Sequence, residues 1–157
     1  MKKLIIVFFL TSLSLLAETI TGKVVGVSDG DTITVLDSSL KRHKIRFEHI
    51  DAPEKSQAFG QRSKEYLSSL IFNKKVSVKI KTTDRYKRVI ATVMHGTTNI
   101  NLEMVKAGYA WHYKYYSKDK QFADAERTAR NAKKGIWSSN KATPPWDYRR
   151  SLKNTHK

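Results

Sequence analysis

The chain has 157 residues, of which 30 are lysine or arginine and 14 are aspartate or glutamate, giving a formal net charge of +16. This length suits one domain with a single core and is too short for two. Because the chain has no cysteine, disulfide bonds and zinc sites built on thiolates are excluded. So much positive charge attracts polyanions, so nucleic acid and anionic membrane are the candidate partners.

The N-terminus has the pattern of a secretory signal. Lys2 and Lys3 precede an apolar run over residues 4–16, which ends at Ala17. The run is shorter than the roughly 20 apolar residues of a membrane span, so we predict that residues 1–17 are a signal peptide and that the protein is periplasmic or extracellular. Leu15 is larger than the residue usually found two positions before the end of such a signal, so an uncleaved membrane anchor is the alternative.

Five stretches are predicted to be strands. Three of them show apolar and polar residues in alternation, which is typical of half-buried strands. These three contain Ile33 and Val35; Ile45 and Phe47; and Val76, Val78 and Ile80. The other two run over about residues 19–27 and 89–95. Ser28-Asp29-Gly30 predicts the turn between the first two strands, because Asp-Gly readily takes positive φ in a hairpin.

Helical spacing occurs in three places. The first lies between Phe59 and Ile71, and the second is a short helix that we expect Asn101 to cap and Gly108 to end. The last extends from Phe122 to Ile136, with Gly135 as its expected stop. From residue 141 onwards Pro144, Pro145 and many charges predict an extended basic arm over residues 141–157.

Three strands, a helix, two strands and then helices fit an α+β fold that is mainly β. The architecture predicted is a five-stranded OB-fold barrel capped by three helices, in which loops and one sheet face form the ligand surface. We expect this domain to cover residues 18–140.

Two acidic segments carry candidate metal ligands. Asp31 lies in Asp-Gly-Asp-Thr, and Asp51 begins Asp-Ala-Pro-Glu after the third strand. If their strands are neighbours, the two carboxylates can converge on a shared cation. Ligands that are all oxygen favour Ca²⁺ in an exported protein, with Mg²⁺ or Mn²⁺ as alternatives. The competing interpretation is that Asp29 and Asp31 form turns and that Asp51 caps the segment after it.

Two arginines are candidate phosphate ligands. Arg46 precedes Asp51 by five residues, and Arg88 follows Asp84-Arg85-Tyr86-Lys87. A guanidinium group contacts phosphate oxygens at two points and keeps its charge, as phosphodiester cleavage requires. The competing interpretation is a solvated surface residue.

Taken together, these segments resemble the staphylococcal nuclease (thermonuclease) family in order and spacing. The resemblance covers about residues 19–137, and it rests on Asp-Gly-Asp-Thr, Arg-Phe-Glu-His-Ile-Asp-Ala-Pro-Glu, Asp-Arg-Tyr-Lys-Arg and Gly-Ile-Trp. It implies the barrel with three helices, hydrolysis of both DNA and RNA, and products with 3′-phosphate ends.

The resemblance also implies roles for six positions. Asp31 and Asp51 match the calcium carboxylates, and Ala52 matches the residue whose main-chain carbonyl is a ligand. Arg46 and Arg88 match the phosphate-binding arginines. Glu54 matches the glutamate that activates or orients the attacking water.

One residue departs from the family pattern. Lys87 stands where the family usually has glycine, which costs about 1 kcal/mol if the backbone there needs positive φ. The placement of Arg88 is therefore less well defined than that of Arg46.

Several side chains are candidates for contacts with nucleic acid, because bases and sugars stack on aromatic rings. They are Tyr86, Lys87, Tyr113 and Tyr116. Which of Tyr113, Tyr115 and Tyr116 faces the site is left open, and the competing interpretation is that these rings pack against the last helix.

The leading prediction is an exported, monomeric, calcium-dependent nuclease that acts on DNA and RNA. The alternatives are a non-catalytic nucleic-acid-binding barrel and a basic envelope protein held at anionic lipid by its N-terminus. Three carboxylates among the candidate site residues favour the nuclease, because carboxylates do not help to bind a polyanion.

Overall fold

The computed structural model describes residues 18–155, so the predicted signal peptide lies outside the described residues. The strands are β1 (Thr19–Asp29), β2 (Thr32–Asp37), β3 (Arg42–Phe47), β4 (Ile50–Asp51), β5 (Lys75–Thr83), β6 (Val89–His95), β7 (Thr98–Asn99) and β8 (Trp111–His112). The helices are α1 (Gly60–Ile71), α2 (Ile100–Lys106), α3 (Lys120–Asn131) and α4 (Pro145–Thr155), with a short 3-10 helix (Gly135–Ser138) before α4.

The five long strands form a closed barrel. β1 pairs antiparallel with β2 and with β5, β2 pairs with β3, and β5 pairs with β6. A parallel pairing between β3 and β6 closes the sheet. The predicted α+β fold, a five-stranded barrel with α1, α2 and α3, is confirmed.

Alternating side chains of the strands fill the core of the barrel. Ile33, Val35 and Ile45 are completely buried, and Leu67 of α1 and Met104 of α2 close over them. Burying each such side chain contributes about 1.5–3 kcal/mol, so packing rather than cross-linking stabilises the domain.

The predicted hairpin turn forms between β1 and β2, but its glycine serves a different purpose. Neither Asp29 nor Gly30 is among the described residues with positive φ. A Cβ atom on Gly30 would lie 1.8 Å from Ser63 Oγ on α1 and 2.8 Å from the Ala52 Cβ. Glycine is therefore required here by the close approach of α1 and not by backbone conformation.

The prediction that Asn101 caps α2 is wrong, because the cap is Asn99, whose side chain accepts a hydrogen bond from the backbone N–H of Leu102. Asn101 lies inside the helix and is completely buried. Its side chain accepts a bond from the Val93 N–H and donates to the carbonyls of Glu48 and Ala91. This asparagine therefore joins α2 to the barrel.

The third helix ends earlier than predicted. α3 stops at Asn131, and Ile136 belongs to the separate 3-10 helix. Lys133 and Gly135 both take positive φ, at 49° and 51°, which ends the α-helical path before Ile136.

The prediction of an extended C-terminal arm is also wrong, because α4 occupies most of the segment. Pro145 takes the first position of the helix, where its missing N–H costs nothing, and Asp147 and Lys153 lie at the ends where the helix dipole favours them. Trp146 anchors the helix against Trp111, with ring centroids 5.8 Å apart. In the described part of the chain, no helix has the length and hydropathy needed to cross a membrane.

Candidate active site

Arg46 lies at the centre of the site and is held by the barrel itself. In β3 it pairs with Thr32 of β2 and with Ile90 of β6. Its Nη1 donates to the backbone carbonyls of Phe47, at 2.6 Å, and Ile50, at 2.9 Å. These bonds fix the guanidinium plane and leave Nη2 to face the acidic residues.

Asp31 and Asp51 converge on that one nitrogen. Arg46 Nη2 lies 3.1 Å from Asp31 Oδ2 and 2.9 Å from Asp51 Oδ1. Asp31 also accepts bonds from the Ala52 N–H and from the Thr32 hydroxyl. The two carboxylates are only 7% and 3% exposed. Turn and strand thus bring together two acidic groups that are distant in sequence.

Glu54 lies at the open edge of this group and contacts an arginine that the sequence analysis did not select. Arg149 of α4 donates from Nη1 to Glu54 Oε1 at 2.6 Å and from Nη2 to Asp51 Oδ2 at 2.7 Å. A further contact joins Nη1 to Asp51 Oδ1 at 3.3 Å. One guanidinium group therefore bridges the two carboxylates.

The site contains more negative than positive charge. The carboxylates of Asp31, Asp51 and Glu54 face the guanidinium groups of Arg46 and Arg149, so −3 and +2 leave a net charge of −1. A cation would balance that charge.

Burial shifts the titration of the acidic groups. It raises the pKa of Asp29 to about 7, with a further contribution from the charge of Asp31. Burial also raises the pKa of Asp51, despite the opposing hydrogen bond from Arg149. Although burial opposes it, the bonds to Asp51 and Glu54 raise the pKa of Arg149, which remains a cation.

The donor set fits a hard metal ion. Carboxylate oxygens of Asp31 and Asp51 both lie within 3.1 Å of Arg46 Nη2, so the two groups converge on one cationic partner, and oxygen is the ligand that Ca²⁺ and Mg²⁺ prefer. In residues 18–155 no three carboxylate or imidazole groups are arranged around one potential ion position. An ion here would therefore take two carboxylates and complete its shell with water and backbone carbonyl oxygen, the role predicted for Ala52.

The second predicted arginine is directed elsewhere. Arg88 donates from its backbone N–H and Nε to the carboxylate of Asp84, at 3.0 and 2.8 Å. Burial raises the pKa of Asp84, but the hydrogen bonds from Arg88 and from the Tyr86 N–H, together with the charge of Arg88, hold it below its usual value. Within the described residues no ion pair joins Arg88 to the carboxylates around Arg46.

Lys87, just before Arg88, adopts φ of 61°. The loop therefore has the left-handed backbone that favours glycine, and a lysine side chain costs about 1 kcal/mol there. Tyr86 is largely exposed on the same loop, with the Arg85 and Arg88 guanidinium groups 4.8 and 5.6 Å from its ring centre.

The predicted aromatic contacts divide into two kinds. Tyr113 is half-buried, and burial followed by the charge of Asp51 raises its pKa. Its ring stacks on Trp146 with centroids 5.5 Å apart and planes 10° apart. Tyr115 and Tyr116 are 71% and 77% exposed.

Sequence reasoning thus missed Arg149 and Trp146, because it took the tail as an extended arm. A helix start was nevertheless readable at Pro145, followed by Asp147 in the first turn. No pattern in the tail predicted which carboxylates Arg149 would contact.

Comparison with known proteins agrees with this geometry. The family model described as "Staphylococcal nuclease homologue" matches residues 44–139. A protein of Haemophilus influenzae named an uncharacterized endonuclease is 48% identical over 133 residues, covering 85% of this chain and 75% of that protein. The micrococcal nuclease of Shigella flexneri is 42% identical over 144 residues, covering 85% of this chain and 82% of the relative. An Escherichia coli protein named an uncharacterized endonuclease is 42% identical over 151 residues, covering 95% and 98% of the two chains. The chain therefore belongs to the staphylococcal nuclease family.

Proposed function

We propose that this member of a nuclease family is an exported, calcium-dependent enzyme that hydrolyses phosphodiester bonds of both DNA and RNA and leaves 3′-phosphate ends. The observation that carries the proposal is the convergence of the buried Asp31 and Asp51 carboxylates beside the fixed guanidinium group of Arg46. Buried carboxylates are costly without a cationic partner, and the site has one negative charge left over.

The chain's own residues supply most of the chemistry. Arg46, which four hydrogen bonds and ion pairs hold in place, stabilises the negative charge that builds on the phosphate oxygens. Glu54 accepts a proton from the water whose oxygen attacks phosphorus. The bond from phosphorus to the 5′ oxygen breaks, and that oxygen takes up a proton from solvent and leaves as a hydroxyl group. When bound, the cation neutralises phosphate oxygen and lowers the pKa of water.

Arg88 completes the site only after a change of partner. In the described structure it is paired with Asp84, and its side chain is 29% exposed. The proposal is that substrate phosphate replaces the Asp84 carboxylate, because each group presents two oxygen atoms that one guanidinium group can contact in parallel. Tyr86 and Lys87 on the same loop, together with Tyr113 and Tyr116, would contact the nucleic-acid strand.

The test is digestion of single-stranded DNA, double-stranded DNA and RNA by the purified protein in calcium, in magnesium and in chelator. We expect cleavage of all three in calcium and none in chelator, with 3′-phosphate ends detected by phosphatase treatment. Absence of metal-dependent cleavage alongside salt-sensitive binding would support the non-catalytic barrel instead.

A pair of variants ties the activity to the site. Asp51→Asn removes a proposed metal ligand and should lower cleavage by at least about 100-fold. Asp37→Asn removes a carboxylate paired with His43 on the far end of β2 and serves as the control. Equal activity of the two variants would contradict the placement of the site.

Export is a separate part of the proposal and rests on residues 1–17. Cell fractionation, with mass spectrometry of the N-terminus, should find a mature chain that begins at Glu18 outside the cytoplasm. An intact N-terminus in the membrane fraction would favour the uncleaved anchor.

A further inference from the structure

The C-terminal helix α4 is attached directly beside the candidate active site. The Tyr148 hydroxyl lies 3.0 Å from Ser56 Oγ, and Gln57 Nε2 donates to the Thr143 carbonyl at 2.6 Å. Both partners lie in the segment that follows Glu54. The helix and the loop carrying Glu54 are therefore held together at several points.

From this position Arg149 occupies the acidic groups that the proposed reaction needs free. Its two terminal nitrogens lie 2.7 Å from Asp51 Oδ2 and 2.6 Å from Glu54 Oε1. A dication held by Asp51 would lie within a few ångströms of this guanidinium group, and like charges so close repel strongly in a partly buried site. Arg149 also occupies Glu54 Oε1, one of the two oxygens through which Glu54 could contact the attacking water.

The same helix covers the aromatic side of the site. Trp146 stacks on Tyr113 in parallel geometry and meets Tyr115 edge-on, with centroids 5.5 and 5.9 Å apart. A base could stack on that face of Tyr113 only if the indole moved away. Two side chains, one turn apart on α4, thus cover both the acidic and the aromatic parts of the site.

We propose that α4 is a built-in competitor of the cation and of the nucleotide, and that Arg149 and Trp146 leave the site together when either ligand binds. This inference rests on the calcium site of the proposed function. Ligand binding and docking of α4 are therefore coupled. Removing the Arg149 side chain should raise the affinity for a ligand that displaces α4, and adding calcium should weaken the docking of α4.

The first measurement is Ca²⁺ binding by calorimetry to the wild-type protein, Arg149→Gln and Arg150→Gln. Arg150→Gln is the matched control, because it removes the same charge from the same helix, whereas the Arg150 side chain is 68% exposed and within residues 18–155 pairs only with Asp147. We expect Arg149→Gln to bind Ca²⁺ about tenfold more tightly, within the usual range of coupling between sites, and Arg150→Gln to match the wild type.

The second measurement is hydrogen exchange of residues 145–155, which needs no catalysis. We expect calcium to speed exchange of this helix in the wild type, and we expect Arg149→Gln to exchange faster even in chelator. A helix that stays protected in saturating calcium, or Ca²⁺ binding no tighter in Arg149→Gln than in Arg150→Gln, would overturn the competition while leaving the calcium site intact. If none of the three proteins binds Ca²⁺, the calcium proposal fails and this inference fails with it.

Discussion

At the scale of single residues, Arg46 has a structural role as well as a proposed chemical one. Its guanidinium group bonds two carbonyls and two carboxylates and is only 12% exposed. From the sequence it was predicted as a phosphate ligand alone. Its contacts could not be predicted, because they depend on the closure of β3 against β2 and β6.

Replacement of Arg46 should therefore affect both activity and stability. Arg46→Gln is expected to lower turnover by at least about 100-fold, since one donor to the developing charge is lost. It should also lower the free energy of unfolding by about 3 kcal/mol, because two buried carboxylates lose their shared cation. Cleavage assays and chemical denaturation in chelator measure the two effects, with Arg42→Gln at the exposed start of β3 as control. Near-normal turnover would remove Arg46 from the mechanism.

Two asparagines near α2 are predicted to differ in their contribution to stability. Asn101→Ala leaves the Val93 N–H and two carbonyls without their partner inside the protein and should cost about 3 kcal/mol. Asn99→Ala removes an ordinary helix cap and should cost about 1 kcal/mol. Urea denaturation of both variants measures the difference, and an equal loss would show that the buried bonds contribute no more than the cap.

At the scale of elements, strands were easier to predict than helix ends and the tail. In β2 the apolar Ile33 and Val35 alternate with polar residues. This pattern predicts that one face of the strand is buried, because successive strand residues point to opposite sides. The tail has too few apolar residues at helical spacing to predict a helix. Its helix α4 is stabilised instead by contacts of Trp146 and Tyr148 with segments that are distant in sequence. Asp31 and Asp51 were recognisable as a pair, but the contact with Arg149 depends on that docking.

The β4–β8 ribbon that positions Asp51 should be sensitive to acid. Burial lowers the pKa of His112 in β8, whose Nε2 lies 2.9 Å from Ser117 Oγ. The folded protein keeps His112 neutral where the unfolded chain takes up a proton, below about pH 6.5. The unfolded state then binds more protons, so stability falls as the pH falls.

Denaturant titrations between about pH 7.5 and 5.5 check this, because the unperturbed pKa of histidine lies within that range. We expect the decrease to be smaller in His112→Gln, which cannot be protonated. An identical pH dependence in the two proteins would assign the effect to other groups.

At the scale of the whole molecule, the net charge of +16 surrounds a small site of net negative charge. The positive charge of the whole molecule attracts any polyanion. The carboxylates of the site restrict which part of that polyanion can approach Arg46. Composition alone predicted the first property. The second required the fold, because Asp31 precedes β2 whereas Asp51 and Glu54 lie together in the segment after β3.

Binding of an oligonucleotide in chelator should therefore depend steeply on salt. We expect affinity to fall by at least about 100-fold between 50 and 200 mM salt, since each phosphate contact releases a counterion. Fluorescence anisotropy measures it, and an uncharged methylphosphonate strand of the same sequence is the control. A shallow slope for the natural strand would indicate that few lysines and arginines contact phosphate.

The parallel pairing of β3 with β6 has a consequence for when the site comes into existence. Arg46 pairs there with Ile90, a residue far along the chain, and such long-range pairings form slowly during folding. Arg46, the proposed phosphate ligand, is thus positioned only when the barrel closes, and a β2–β3 hairpin alone lacks its pairing with β6. A chain kept unfolded until it has crossed a membrane would therefore carry no assembled site, and its synthesis would not expose the cell's own nucleic acid to cleavage.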